Sequence, residues 1–316
     1  MIPVAEQTIF ISIASYCDPL LAFTISSALN NAANPQNLRF GIVDQSPASQ
    51  RLSMQVEPPL NYVQVDPLDT RGVCWARSLA MSFYNGEDWF LQLDSHMFFE
   101  PNWDIKLIAE GHRCAKLNPD FVISSYPNAF ELDNGKVIKK VISEHPLVIV
   151  VHDDVKFDNS DILQFTFSFA EANKPVLGFA LGAGCIFAPG KIVQAFPYDP
   201  HFYFFGEEQA YALRLYTHGW DIMHVCLPIY HYYQLKGDIR PRHWDEEQDS
   251  KRAIKHDRLV KKATARLHTL INGGDLGVYS LGTTRTVKDY ADFCGIDYMR
   301  QTLNDKAYLG PWVFNS

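Results

Sequence analysis

FLQLDSHMFFEPNW, residues 90–103, decides how this chain is read. Apolar residues run straight into Asp94, Ser95 and His96, and the chain then turns apolar again. Trp89 to Leu93 predicts a buried strand, because a short apolar run closed by polar residues suits a strand covered on both faces. Side chains alternate along a strand, so Asp94 and His96 share a face if the strand continues through them. A carboxylate oxygen with an imidazole nitrogen suits a borderline divalent ion such as Mn2+ better than an all-oxygen set does. Two protein ligands also leave positions for phosphate oxygens. The plainer alternative has Asp94 capping the next turn and His96 hydrogen-bonded at the surface. The motif by itself leaves both readings open.

The same pattern repeats upstream. Thr8 to Ala14 reads as a strand that ends in SYCDP, and LLAFTISSALNNA reads as a helix opened by Asp18-Pro19. Leu38 to Val43 is a second strand ending at Asp44, Tyr62 to Val65 a short third, and Gly72 to Tyr84 a helix that carries Arg77. Trp103 to Leu117 follows as another helix. Strands alternating with helices predict a mainly parallel central sheet with helices on both faces. In such sheets ligands bind outside the carboxyl ends of the strands, where Asp18, Asp44 and Asp94 all stand.

The rest of the chain is more varied. Residues 135–151 and 164–169 read as β segments with turns, 207–218 as a helix, and 220–225 as a strand leading into PIYHYY. His231 in that stretch is a third candidate ligand, against the alternative of a histidine within an aromatic cluster. A charged loop, DIRPRHWDEEQDSKR, precedes a helix over 256–271. We expect a catalytic domain over 1–235 and a C-terminal extension over 236–316 packed on it.

Composition narrows the function classes. The chain has 316 residues with 47% hydrophobic content, which fits a folded globule. A net charge of -8 argues against a general nucleic-acid binder. The six cysteines are scattered without a C-x-x-C pair, which predicts free thiols in a reducing compartment. The first residues lack a basic segment before their apolar run, and no run approaches the roughly 18 apolar residues of a membrane span. These features predict a cytoplasmic protein without a membrane span.

Taken together, the Asp-x-His, the upstream RGVCWAR, and the downstream GAGCIFAPG and FFGEEQAYALRLYTHGWDI resemble a GT-A-type glycosyltransferase. The sequence resembles the N-acetylglucosaminyltransferases that cap hydroxyproline on the Skp1 protein. It is more distantly similar to polypeptide N-acetylgalactosaminyltransferases, whose Glu-Asn segment is answered here by Glu208-Gln209. The resemblance runs from about Thr8 to Tyr233 and extends to VYSLGTTRTVKDYADFCGID near the C-terminus.

That resemblance implies retaining transfer of GlcNAc from UDP-GlcNAc to a hydroxyl on a protein or glycan. It implies a divalent metal, Mn2+ ahead of Mg2+, on Asp94, His96 and His231. It implies that Asp44 contacts uracil, that Ser15 and Tyr16 meet the nucleotide, and that Arg77 contacts the donor. Gly182, Ala183 and Gly184 would let backbone approach the sugar, and Glu207 and Glu208 would lie near sugar and acceptor as the catalytic acids. Arg242 and His243 would complete a charge clamp on the diphosphate, with Trp244 closing over the sugar; a solvated loop is the alternative. With no evident covalent nucleophile, a front-face transfer is expected. Two other classes compete. A sugar nucleotidyltransferase needs a glycine-rich phosphate loop with a basic residue after the first strand, where this chain has SYCDPLLAF. A non-catalytic sugar- or protein-binding module would not need the D-x-H or the acidic pair, and both are present.

Overall fold

The computed structural model describes residues 3–57, 59–157, 161–233 and 240–314. The elements run β1 (Ile9–Tyr16), α1 (Leu21–Asn31), β2 (Leu38–Gln45), β3 (Asn61–Gln64), α2 (Val73–Met81), β4 (Trp89–Leu93), β5 (Met97–Phe99), α3 (Trp103–Ala115) and β6 (Phe121–Ile123). Then come β7 (Asn128–Asp133), β8 (Lys136–Lys140), β9 (Leu147–Val151), β10 (Phe165–Phe169), β11 (Val176–Gly178), β12 (Cys185–Pro189), α4 (Ile192–Ala195) and α5 (Glu207–Thr217). The chain closes with β13 (Asp221–His224), β14 (Ile229–His231), α6 (Glu246–Lys251), α7 (His256–Ile271), α8 (Val287–Cys294) and α9 (Asp305–Leu309).

The central sheet has eight strands in the order β11-β13-β6-β12-β4-β1-β2-β3. It is mixed and mainly parallel, as expected, with β12 and β11 reversed. Alternation along β1 sorts the two helical layers. Ile9, Ile11 and Ile13 pack with Leu21 and Ile25 of α1 and Leu107 of α3. On the other face Phe10 packs with Cys74 and Met81 of α2, and Ala14 with Ala76 and Ala80. The parallel strands β1, β2 and β4 therefore deliver their carboxyl ends to one edge.

Two further pieces complete that edge. A second sheet, β5-β14-β7-β8, hangs from the strand after the DSH turn. Helix α5 packs its buried Ala210, Leu213 and Leu215 into the same core as Leu267 and Leu270 of α7 and Tyr290 of α8. Each fully buried leucine contributes roughly 1.5–3 kcal/mol, so these helices stabilise the placement of α5. Thr286 and Asp289 close α8 with a reciprocal capping box. The expected 235/236 boundary lies outside the described residues. All six cysteines are free. Among the described residues no helix is long and apolar enough to cross a membrane.

Candidate active site

A cavity of about 580 Å³ opens at the carboxyl edge of the sheet. Asp94, His96 and His231 stand on its wall, and one ligand atom from each lies within 4.8 Å of the others. Backbone geometry explains the convergence. Asp94 N–H donates to Gly184 O at 3.0 Å, continuing the β4–β12 ladder one residue past the strand. His231 pairs with Met97 across the antiparallel β14–β5 ladder, which sets it beside the DSH turn. The His96 and His231 rings meet edge to face at 4.6 Å, and His231 Nε2 is 3.3 Å from Asp94 Oδ2.

The electrostatics suit a cation. Burial raises the Asp94 carboxyl, but the His231 hydrogen bond and the Arg77 charge outweigh it and hold Asp94 well below the ordinary carboxylate range. Burial pushes the His231 imidazole below its ordinary value, despite the Asp94 bond, so it is neutral near pH 7. Among the described residues, His231 Nδ1 is buried without a hydrogen-bond partner. One ionised carboxylate with two imidazoles is a donor set that fits a borderline divalent ion.

Behind Asp94, Arg77 is almost fully buried and bridges two acids. Its Nη2 lies 3.1 Å from Asp94 Oδ1, its Nη1 lies 3.5 Å from Glu207 Oε1, and Nη1 also donates to Tyr198 Oη at 3.1 Å. Arg77, expected to contact the donor, lines the cavity while holding these groups. Gly206, at φ 84, opens α5 in a left-handed conformation that favours glycine and points Glu207 and Glu208 into the cavity from the helix's first turn. Burial, then repulsion from Glu208, raises the Glu207 carboxyl beyond what Arg77 can offset. Burial also raises Glu208, and its Oε1 accepts from Ala183 N–H at 2.7 Å.

The loop before β12 is tuned to Asp94. A Cβ on Gly184 would lie 2.6 Å from Asp94 Oδ2, so only glycine permits this approach. Gly184 lines the cavity. Gly182 and Ala183 stand behind it, Gly182 O accepting from Ser124 Oγ and Ala183 N–H held by Glu208.

Tyr16 lines the cavity, whereas Ser15 and Asp44 do not. The reason is strand parity. Ser15 pairs with Asp44 and Tyr16 with Gln45 in the β1–β2 register, so the first pair faces away when the second faces the cavity. Asp44 Oδ2 instead accepts from Tyr62 Oη at 2.7 Å. Gln45, which sequence reasoning missed, takes the cavity position next to it.

The segment from Arg240 to Trp244 lines the cavity. Arg242 is exposed and stands beside the Trp244 ring, which packs on Phe204 at 4.8 Å. His243 turns inward: Nδ1 bonds Tyr203 Oη at 2.8 Å and Nε2 meets Thr70 Oγ1 at 3.1 Å. Both ring nitrogens are thereby used, so His243 anchors the segment rather than presenting a free donor to a diphosphate. Buried Arg252 reinforces the anchor with bonds to His243 O and Tyr16 Oη. Nothing in the sequence beyond a run of charges marked Arg252 or Thr70.

A family model described as Glycosyltransferase (GlcNAc) matches residues 8–61 and 54–300. The chain belongs to this glycosyltransferase family. No curated protein matches. Among solved structures, GalNAc-T7 crystallised with UDP, GalNAc and Mn2+ is similar with TM-score 0.61 and 12% identity, over 94% of this chain and 58% of that one. S. aureus TarS 1-349 in complex with UDP-GlcNAc aligns with TM-score 0.47 and 13% identity, over 86% of this chain and 68% of that one. This family member thus has a GT-A glycosyltransferase fold and spans little more than half of the GalNAc-T7 chain.

Proposed function

We propose that this protein transfers GlcNAc from UDP-GlcNAc to a hydroxyl of a protein or glycan, with retention at the anomeric carbon and with a divalent ion, Mn2+ ahead of Mg2+. The observation that carries the reading is the joining of Asp94, His96 and His231 with Glu207 and Glu208 around one cavity. GalNAc-T7, which shares the fold, was crystallised with UDP, GalNAc and Mn2+, and the donor set here matches that ion. A divalent ion bound there supplies Lewis-acid neutralisation of the diphosphate leaving group.

The chain's own residues do the rest. Asp94, His96 and His231 hold the ion. Arg77, which lines the same cavity, keeps Asp94 ionised. Tyr16 and Gln45 floor the nucleotide pocket, Gly184 lets the sugar approach the backbone, and Arg242 with Trp244 lines the same cavity. Ser15 and Asp44 support that floor from behind. Glu208 is the more accessible acid and faces sugar and acceptor; Glu207 holds Arg77.

The transfer itself balances without a covalent enzyme intermediate. The bond from the anomeric carbon to the UDP oxygen breaks, and the acceptor oxygen bonds to the same face. The acceptor proton passes to the departing phosphate oxygen. Both glutamates are held by Arg77 or by the Ala183 N–H, which disfavours either as nucleophile. We read residues 1–235 as the transferase domain, 236–316 as an extension on the same core, and the free cysteines as fitting the cytoplasm.

The test is hydrolysis of a panel of UDP-sugars, with the first-formed sugar followed by NMR. UDP-GlcNAc should be turned over fastest and should release α-GlcNAc, the donor's own configuration. Release of the β anomer would overturn retention; preference for another UDP-sugar would overturn the donor.

A further inference from the structure

We propose that Asp18 is a positioning residue of the metal site. Its carboxylate fixes the tautomer and ring orientation of His96, so that Nε2 carries the lone pair offered to the ion. This rests on the metal reading above and names a residue outside the ligand set.

The geometry is local and well anchored. Asp18 Oδ2 lies 2.6 Å from His96 Nδ1 and accepts from Ser95 Oγ at 2.8 Å. Oδ1 accepts from Leu20 N–H at 2.8 Å, at the entry to α1. With both oxygens engaged and the side chain only 6% exposed, the carboxylate has no freedom to rotate. An ionised carboxylate only accepts hydrogen bonds, so in the neutral imidazole the proton sits on Nδ1. The lone pair then sits on Nε2, the ring's other nitrogen. Carboxylate partners of this kind orient metal-binding histidines and raise their basicity.

The backbone is shaped to place Asp18 there. Cys17 adopts φ 46, in the left-handed region that non-glycine residues seldom occupy. Its N–H donates to Gln45 O at 3.1 Å, which holds the kink against β2. The chain turns at that point from the end of β1 towards the DSH turn. Strained residues of this kind gather at functional sites. Asp18 also reaches the 240–244 segment that lines the cavity, with Arg240 Nη1 at 3.5 Å from the same Oδ2. One carboxylate therefore joins the end of β1, the DSH turn and that segment.

Two measurements test the proposal. Metal-free protein with 15N-labelled histidine, at pH 8, should show His96 as the neutral Nδ1–H tautomer, assigned by loss of its signals in His96→Gln. Titration with Mn2+ alone, followed by electron paramagnetic resonance, should show affinity falling roughly 10–100-fold in Asp18→Asn while Tm is little changed. An Nε2–H tautomer in the wild type overturns the proposal, as does wild-type Mn2+ affinity in Asp18→Asn. If the wild type itself binds no Mn2+, the metal reading falls and this inference with it. Should Asp18→Asn not fold, the wild-type tautomer still decides whether Asp18 holds His96 as described.

Discussion

The DSH turn and the first turn of α5 present carboxylates to the same arginine and come out opposite. Asp94 is 3.1 Å from Arg77 and Glu207 is 3.5 Å from it. Asp94 is nonetheless held well below the ordinary carboxylate range, whereas Glu207 is raised. Burial works upward on both. Asp94 sits at the rim, 28% exposed, with two imidazoles as further partners. Glu207 is 7% exposed and has Glu208 beside it. A shared cation thus does not set protonation by itself; the other neighbours decide. Asp94 is thereby kept anionic, and Glu207 is kept able to hold a proton.

Removing the shared cation should have the largest effect. Arg77→Met leaves Asp94 and Glu207 without their buried partner and should cost about 3–5 kcal/mol in urea denaturation. Arg77→Lys should rescue only part of this, because an ammonium cannot bridge two acids as a planar guanidinium does. A loss under 1 kcal/mol would mean that Asp94 and Glu207 are not coupled through Arg77.

A smaller change sharpens the metal site alone. Gly184→Ala places a Cβ against Asp94 Oδ2 and should cost about 1–3 kcal/mol through overpacking. Mn2+ binding, read by titration, should weaken in the same variant. Unchanged binding would show that Asp94 can shift without consequence.

A pH-dependent effect concerns Glu207. Glu207 has a folded pKa above its ordinary 4.5. Its contribution to stability is therefore fully present below pH 4.5 and is lost as pH rises through the folded value. Glu207→Gln should remove that decline, giving a shallower fall in stability between pH 5 and 9. Parallel denaturation curves at pH 5, 7 and 9 check this. A variant that loses stability more steeply with rising pH than the wild type would contradict the assignment.

Much of this molecule can be read before it is folded. The runs at β1, β2, β4 and α2 carry clear alternation or helical spacing, and the D-x-H marks the end of β4. The reversed direction of β12 is not legible, because a short apolar run has no polarity. The meeting of His231 with His96 depends on the β14–β5 register, a long-range pairing that local pattern does not contain. Ser15 and Asp44 illustrate a finer limit. β1 and β2 run on to Tyr16 and Gln45, and one residue of parity moves a side chain to the opposite face. Arg77 and His243 show another limit: the sequence does not contain the partners each also holds inside the protein, Glu207 and Tyr198 for Arg77, and Tyr203 and Thr70 for His243.

We propose a metal-dependent UDP-sugar site on Asp94. Its most direct test is UDP release from UDP-GlcNAc, measured with Mn2+ and with chelator, on wild type and Asp94→Ala. The account predicts release by the wild type with Mn2+, and loss of release with chelator or in the variant. Equal release in all four conditions, or none in any, would contradict it.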